Sequence, residues 1–277
     1  MPSCPMMLPG RFFTFFLYLP ALLLVIVYVN LFAARAWLEQ RISRELLDLL
    51  PLIAALLALA GVGLLARHRC RTRARVRYRW LALGLILTLV ALLLPDSRFP
   101  AKRFHVAEYL LLSAVIRFPM SRQLGGLSLL FFSFLATALL GIHDELLQGV
   151  HPLRTYGLPD MGVNALAAAA GSLFWHGMDL FTPGRKAGPP VPAVFVPYLG
   201  WLLFAVPAMV IPLAGYRDAI LPLWPALPLI GGWFFLVLYR RELLGSRLGH
   251  GILVISLLSL VLPSYPLVIN ATCLVFH

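Results

Sequence analysis

The sequence has little charge. Only 12% of its 277 residues are Asp, Glu, Lys or Arg, whereas 61% are hydrophobic. A soluble domain is about 25% charged and 45–50% apolar, and it cannot bury this much apolar surface. The 21 glycines and 22 prolines are too few for a collagen-like chain, and the hydrophobicity excludes a disordered one. The composition predicts an all-α, polytopic transmembrane helix bundle.

Cysteine and the common nucleotide and metal motifs are also scarce. Cys4, Cys70 and Cys273 form no CxxC pair, which argues against a disulfide framework or a cysteine metal site. The sequence contains no Walker loop and no HExxH helix. The carboxylates and one histidine could bind Mg²⁺ or Zn²⁺, but no spacing is diagnostic. The sequence therefore assigns no metal ligand and leaves any cofactor open.

Apolar segments predict about nine membrane spans, since a spanning helix needs about 20 mainly apolar residues. The last is interrupted by Pro263 and Pro266, where we expect a kink or break. The first resembles a signal peptide, but its apolar run is too long, which favours an uncleaved helix. The nine segments are Phe12–Ala34, Leu46–Ala66, Trp80–Pro95, Phe104–Phe118, Leu124–Ile142, Asp160–Phe181, Ala193–Ala214, Ala219–Tyr239 and Gly251–Phe276.

The distribution of Lys and Arg predicts the orientation of these spans. With the N-terminus inside, 15 of the 23 basic residues fall in inner segments and eight in outer ones. Basic residues accumulate in cytoplasmic loops, so the split predicts an N-terminus inside and a C-terminus outside. The arginine-rich stretch 67–79 contributes most to this asymmetry. A site for anionic lipid or nucleic acid is the alternative interpretation of that stretch.

Polar residues gather at the outer ends of the fourth, fifth and sixth segments. Lys102, His105 and Glu108 recur every third residue, which places them along one side of a helix. Two further pairs are four residues apart: Asp144 and Gln148 just after the fifth segment, and Asp160 and Asn164 in the sixth. The whole polar cluster comprises Lys102, His105, Glu108, Asp144, Glu145, Gln148, Arg154, Asp160 and Asn164.

The polar cluster is the candidate functional site. An ionisable side chain at the centre of a membrane helix costs about 2.5–3.5 kcal/mol, so such residues usually serve a function. His105 and Glu108 are the candidate catalytic residues, Arg154 is the candidate ligand contact, and Glu108 should have a partner within the cluster. The alternative is a structural group of ion pairs that ties three helices together.

The surroundings of the cluster carry two further signals. The stretch 143–160 contains Gly149, Pro152, Gly157 and Pro159, which predicts a loop or partly re-entrant chain. The small residues at 165–172 would let helices approach closely in lipid, so the sixth segment should be central in its bundle.

Two motifs together resemble the VanZ-like family. The first is Lys-Arg-Phe-His-Val-Ala-Glu-Tyr at 102–109. The second is Gly-Ile-His-Asp-Glu-Leu-Leu-Gln at 141–148, with Pro152, Arg154, Asp160 and Asn164 after it. The resemblance covers roughly residues 80–180 and implies a core at 80–181, preceded by two helices and a basic loop at 1–79 and followed by three helices at 182–277. Many relatives carry an acidic residue where this chain has Ala101, which leaves the charge partner of Lys102 open.

The resemblance implies a multi-pass protein of the bacterial cytoplasmic membrane with a role in the cell envelope. The family is named for a teicoplanin-resistance protein and brings no settled biochemical activity with it. The expected partners are a membrane lipid or lipid-linked envelope precursor and other envelope proteins, without nucleic acid. Three functions remain open: binding or moving an anionic lipid-linked or polyprenyl-phosphate ligand, a membrane-embedded transferase or hydrolase using His105 or Glu108, and a non-catalytic scaffold.

The predicted topology can be tested by labelling. In a variant that lacks the native cysteines, we expect a cysteine introduced at Thr155 to react with a membrane-impermeant reagent in intact cells, because the loop around it should lie outside. A cysteine within the basic loop at 67–79 should react only after lysis. Labelling at 155 only after lysis would contradict both the topology and an outer-leaflet site.

Overall fold

The computed structural model describes residues 14–96, 98–152, 154–182 and 189–277. Cys4, Arg11, Arg185, Lys186 and the start of the first predicted span lie outside these ranges. The described residues are helical without a strand, which confirms the all-α prediction. The helices are α1 (Leu19–Leu38), α2 (Arg44–Arg71), α3 (Tyr78–Leu93), α4 (Phe104–Met120), α5 (Gly126–Val150), α6 (Leu158–Gly177), α7 (Phe195–Leu213), α8 (Leu227–Leu238), α9 (Arg240–Gly245), α10 (Gly249–Val261) and α11 (Ser264–Thr272).

Five helical stretches of the described chain are long and apolar enough to cross a membrane. They are Thr14–Leu31, α2, α5, α7 and Gly249–Thr272. Large apolar side chains face outward on these and on shorter helices, such as Leu57 of α2 and Phe234 of α8, each 67% exposed. Soluble monomers rarely expose large contiguous apolar patches, so this surface suits a lipid environment. Helices α3 and α8 are apolar but shorter than these five.

Helix α5 extends eight residues beyond its predicted end at Ile142. The prediction of a loop or re-entrant chain from residue 143 was therefore wrong for 143–150, which are helical. The charges of Asp144 and Glu145 do not end the helix because both side chains are fully buried in protein. The irregular chain begins only at His151, beside the breaker Pro152.

Prolines also reshape the last two predicted spans. The eighth begins at Leu227 rather than Ala219, because Pro222 and Pro225 interrupt residues 214–226 and leave only a short 3₁₀ turn before α8. The ninth breaks between α10 and α11 at Pro263, which confirms the expected interruption.

Helix α6 is the central element, as the small-residue run predicts. It packs against α3, α4 and α5, and Ala167, Ala168 and Ala170 are fully buried in these contacts. A side chain at Gly171 would place its Cβ 3.1 Å from the backbone oxygen of Leu110 in α4. The absence of side-chain bulk along α6 therefore sets the distance between α4 and α6.

Polar side chains gather at both ends of this helical core. One end holds the carboxyl ends of α1 and α5 and the amino ends of α2, α4 and α6. At the opposite end, Arg69 donates hydrogen bonds to the backbone oxygens of Met178 and Asp179, and Arg77 pairs with Asp179 at 2.6 Å. The predicted loop at 67–79 is helical as far as Arg71, because α2 continues beyond its predicted end at Ala66. Arg69 at the end of α2 and Arg77 just before α3 thus bind the chain just after α6, where helix carbonyls favour positive charge.

A bulky residue at Gly171 should destabilise the protein. We expect Gly171→Leu to cost about 1–3 kcal/mol or more of folding free energy, because α4 would have to move away. Gly162→Leu on the same helix is the control, since a Cβ there meets no atom within 4 Å. Thermal unfolding in detergent measures the stability of both variants. Equal losses of stability would show that the close approach of α4 and α6 is not the cause.

Candidate functional site

His105 and Glu108 form a buried pair in the first turns of α4. The Nδ1 of His105 lies 3.0 Å from Oε2 of Glu108, and their side chains are 6% and 9% exposed. The pair confirms the prediction that Glu108 has a partner in the cluster. The hydroxyl of Tyr28 in α1 donates to the backbone oxygen of Glu108 at 3.1 Å, which anchors this turn.

Asp144 and Glu145 approach the same imidazole from α5. Oδ2 of Asp144 lies 4.0 Å from Nδ1 of His105 and accepts a hydrogen bond from the Tyr109 hydroxyl at 2.9 Å. Oε1 of Glu145 lies 3.9 Å from Nε2 of His105, while its Oε2 accepts from the backbone N–H of Gly157 at 3.1 Å. Three carboxylates therefore surround one buried histidine.

Asp160 supplies the charge partner of Lys102. The Nζ of Lys102 lies 2.7 Å from Oδ2 of Asp160, which stands in the first turn of α6 where the helix dipole favours an anion. Gly157 packs closely against this carboxylate, and a Cβ at Gly157 would lie 2.7 Å from Oδ2. The pair joins the 3₁₀ turn at 100–103 to α6.

Arg154 binds the end of α5 through Gln148. Two of its guanidinium nitrogens donate to Oε1 of Gln148, one of them at 3.1 Å. The loop that carries Arg154 is fixed by Tyr156, whose hydroxyl donates to the backbone oxygen of Val210 at 2.6 Å. Burial raises the pKa of this tyrosine. Arg154 therefore stands on a packed loop.

Asn164 lies deeper than the rest of the cluster. Its Nδ2 is 3.5 Å from the backbone oxygen of Gly141. A Cβ added at Gly141 would lie only 2.8 Å from the Cβ of Asn164. Asn164 thus sits at the α5–α6 contact. Asn164 therefore lies behind the cluster residues that face the surface.

A cavity of about 690 Å³ opens over the polar cluster. Of the predicted residues, Lys102, His105, Glu108, Gln148, Arg154 and Asp160 line it, whereas Asp144, Glu145 and Asn164 lie behind its wall. The cavity also carries cations that the sequence interpretation did not assign to the site: Arg35, Arg44, Arg98 and Arg217.

The cavity is richer in cations than in anions. Six Lys and Arg side chains line it, against the carboxylates of Glu39, Asp48, Glu108 and Asp160. Arg35 lies 3.0 Å from Glu39 and 2.9 Å from Asp48. At the rim, side-chain hydrogen bonds from Arg98 hold the pKa of Asp96 at about 2, so this carboxylate stays ionised.

The distribution of Lys and Arg between inner and outer segments contains a signal for Arg35, Arg44, Arg98 and Arg217. The predicted topology places eight basic residues in outer segments, and six of these eight line the cavity. Because Lys and Arg favour the inner side of a membrane, those in predicted outer segments are candidate ligand contacts.

Comparisons with family models, with curated proteins and with solved structures find no match for this chain. The resemblance to the VanZ-like family therefore stays a prediction from the two sequence motifs.

The pair of Lys102 and Asp160 should stabilise the site. We expect Lys102→Met to cost about 1–3 kcal/mol, because the nearly buried carboxylate of Asp160 would lose its hydrogen-bonded cation. The double variant Lys102→Met/Asp160→Asn should recover most of that loss, since no unpaired charge remains. Thermal unfolding of Lys102→Met, Asp160→Asn and the double variant measures the coupling, and strictly additive effects would contradict it.

Proposed function

We propose that this chain is a VanZ-like protein of the bacterial cytoplasmic membrane that binds or moves an anionic lipid-linked or polyprenyl-phosphate ligand. The observation that carries the proposal is the 690 Å³ cavity lined by six cations. Binding sites for small ligands usually measure about 300–1,000 Å³, so the cavity has room for a phosphorylated headgroup.

The chemistry of the cavity wall suits a phosphate. Arginine binds phosphate or carboxylate oxygens with two parallel hydrogen bonds, which lysine cannot reproduce. Five of the six cations are arginines, and they come from α1, α2 and the segments that follow α3, α5 and α7. A headgroup held among them would bridge the whole polar end of the bundle.

The apolar part of the wall suits a lipid tail. Tyr28, Leu31, Phe99 and Phe104 also line the cavity. Helices α1 and α2 also carry exposed leucines, including Leu23 and Leu57. An amphiphile could therefore place its charged end among the arginines while its chain lies along lipid-facing helix surfaces.

The proposed orientation has the N-terminus inside and the C-terminus outside, with nine spans. The excess of Lys and Arg in the inner segments supports it. The cavity then faces the outer leaflet, where lipid-linked envelope precursors and glycopeptides are found. A link to glycopeptide resistance follows from the resemblance to the VanZ-like family.

A transferase or hydrolase is the second candidate function. It is favoured by the buried pair of His105 and Glu108, both of which reach the cavity wall. A histidine held by a carboxylate is a common general base, and the cavity would bring a phosphoester within its reach. A scaffold role would instead be indicated if alanine were tolerated throughout the cluster.

Lipid retention tests the proposed ligand. We expect the purified chain to retain a polyprenyl monophosphate, but not the matching polyprenol, in native mass spectrometry. Arg154→Lys should fold normally and lose at least tenfold in affinity, because one ammonium replaces a two-point contact.

Arg41→Lys is the matched control, since Arg41 is an outer arginine that stacks on Trp37 and does not line the cavity. Equal retention of phosphate and alcohol, or full affinity in Arg154→Lys, would overturn the proposal. Release of a shortened product from the bound lipid would favour the enzyme instead.

A further inference from the structure

Three buried side chains from three helices converge at the floor of the cavity. A ring nitrogen of His105, a carboxylate oxygen of Glu145 and a carboxylate oxygen of Asp160 all lie within 4.8 Å of one another. Their residues belong to α4, α5 and α6, so the group forms only when the three helices pack. No spacing in the sequence indicates this set, because the members are 40 and 15 residues apart.

One oxygen in this group has no hydrogen-bond partner among the described residues. Oε1 of Glu145 is buried and unpaired, although Oε2 of the same carboxylate accepts from Gly157. Glu145 is fully buried, and its unpaired oxygen faces Nε2 of His105 at 3.9 Å. A buried carboxylate oxygen without a donor is costly, and a cation placed between these two atoms would remove that cost.

The orientation of His105 is that of a metal ligand. Its Nδ1 is held by Glu108, which leaves Nε2 directed at Glu145. Metal-binding histidines usually donate their other ring nitrogen to a carboxylate in this way. His143 provides the contrast, because Tyr265 and the backbone of Leu258 contact both of its ring nitrogens.

The local charge balance also calls for a cation. Glu108, Asp144, Glu145 and Asp160 surround the imidazole, and Lys102 is the cation hydrogen-bonded to one of them. A buried charge is costly unless it is paired, neutralised by protonation or bound to a metal. A divalent ion would offset two of the remaining negative charges.

We propose that His105, Glu145 and Asp160 bind one divalent cation, with Zn²⁺ preferred. Mixed imidazole and carboxylate donors favour Zn²⁺ over Mg²⁺ and Ca²⁺, which prefer oxygen alone. Ligand atoms about 2.0–2.2 Å from Zn²⁺ in a tetrahedral site are about 3.3 Å apart, so metal binding would draw the three side chains together by up to about 1.5 Å.

The site has an open side. His105 and Asp160 line the cavity whereas Glu145 lies behind its wall, so a fourth ligand would come from the cavity. The metal site does not depend on the proposed lipid ligand, and metal binding is measured without lipid.

Metal content of the purified full chain tests the proposal. After chelator treatment and reloading with Zn²⁺, we expect one Zn²⁺ per chain by elemental mass spectrometry and a raised Tm. Glu145→Gln and Asp160→Asn should each lose the metal. Glu145→Gln should keep or raise the Tm of the metal-free protein, because it removes an unpaired buried charge, so its loss of metal cannot be attributed to unfolding.

His143→Gln is the matched control for a second buried histidine and should retain one Zn²⁺. Glu108→Gln, which changes a positioning residue, should keep the stoichiometry and weaken Zn²⁺ binding 10–100-fold. Arg154→Lys should bind Zn²⁺ normally even where it loses the polyprenyl phosphate, so the two proposals can fail separately. No Zn²⁺ in the reloaded wild type, retention in Glu145→Gln, or stronger binding of Mg²⁺ or Ca²⁺ would overturn the metal site.

Discussion

The burial of Asp144 and Glu145 constrains the positions of α4 and of the α5–α6 loop at the end of the bundle that holds the polar cluster. Two adjacent carboxylates without solvent contact need donors from other elements, and each finds one on a different element. Tyr109 of α4 donates to Asp144, and the backbone of Gly157 in the α5–α6 loop donates to Glu145. The position of α4 and the course of that loop are therefore tied to the end of α5.

These contacts depend on glycine at the helix crossings. At Gly141 a Cβ would lie 3.1 Å from the ring of Tyr109, so a larger residue would displace the tyrosine that binds Asp144. At Gly171 the same requirement holds between α6 and α4. Small residues in the core thus have a consequence for the site: they bring the three helix ends close enough for one histidine to meet three carboxylates.

Much of the fold and part of the site could be predicted from the sequence. Hydrophobic runs located the helices, and the spacing of His105 and Glu108 placed both on one side of α4. The sequence does not predict the end of α5, because Gly149 and Pro152 indicate a loop and nothing local in the sequence shows that protein covers Asp144. The pairing of Lys102 with Asp160 could not be predicted from the sequence either, since it joins residues 58 positions apart and depends on the packing of α6.

The arginines show how one residue type serves different purposes at the two ends. At the basic end, Arg69 and Arg77 bind backbone oxygens and Asp179 beyond α6, so their charge is used within the protein. At the cavity, six cations face four carboxylates of the wall, and Arg35 and Lys102 are paired with three of those carboxylates. Behind that wall the balance reverses around His105. An anion in the cavity and a cation at its floor would each make the binding of the other more favourable, because opposite charges attract across the one layer of side chains between them.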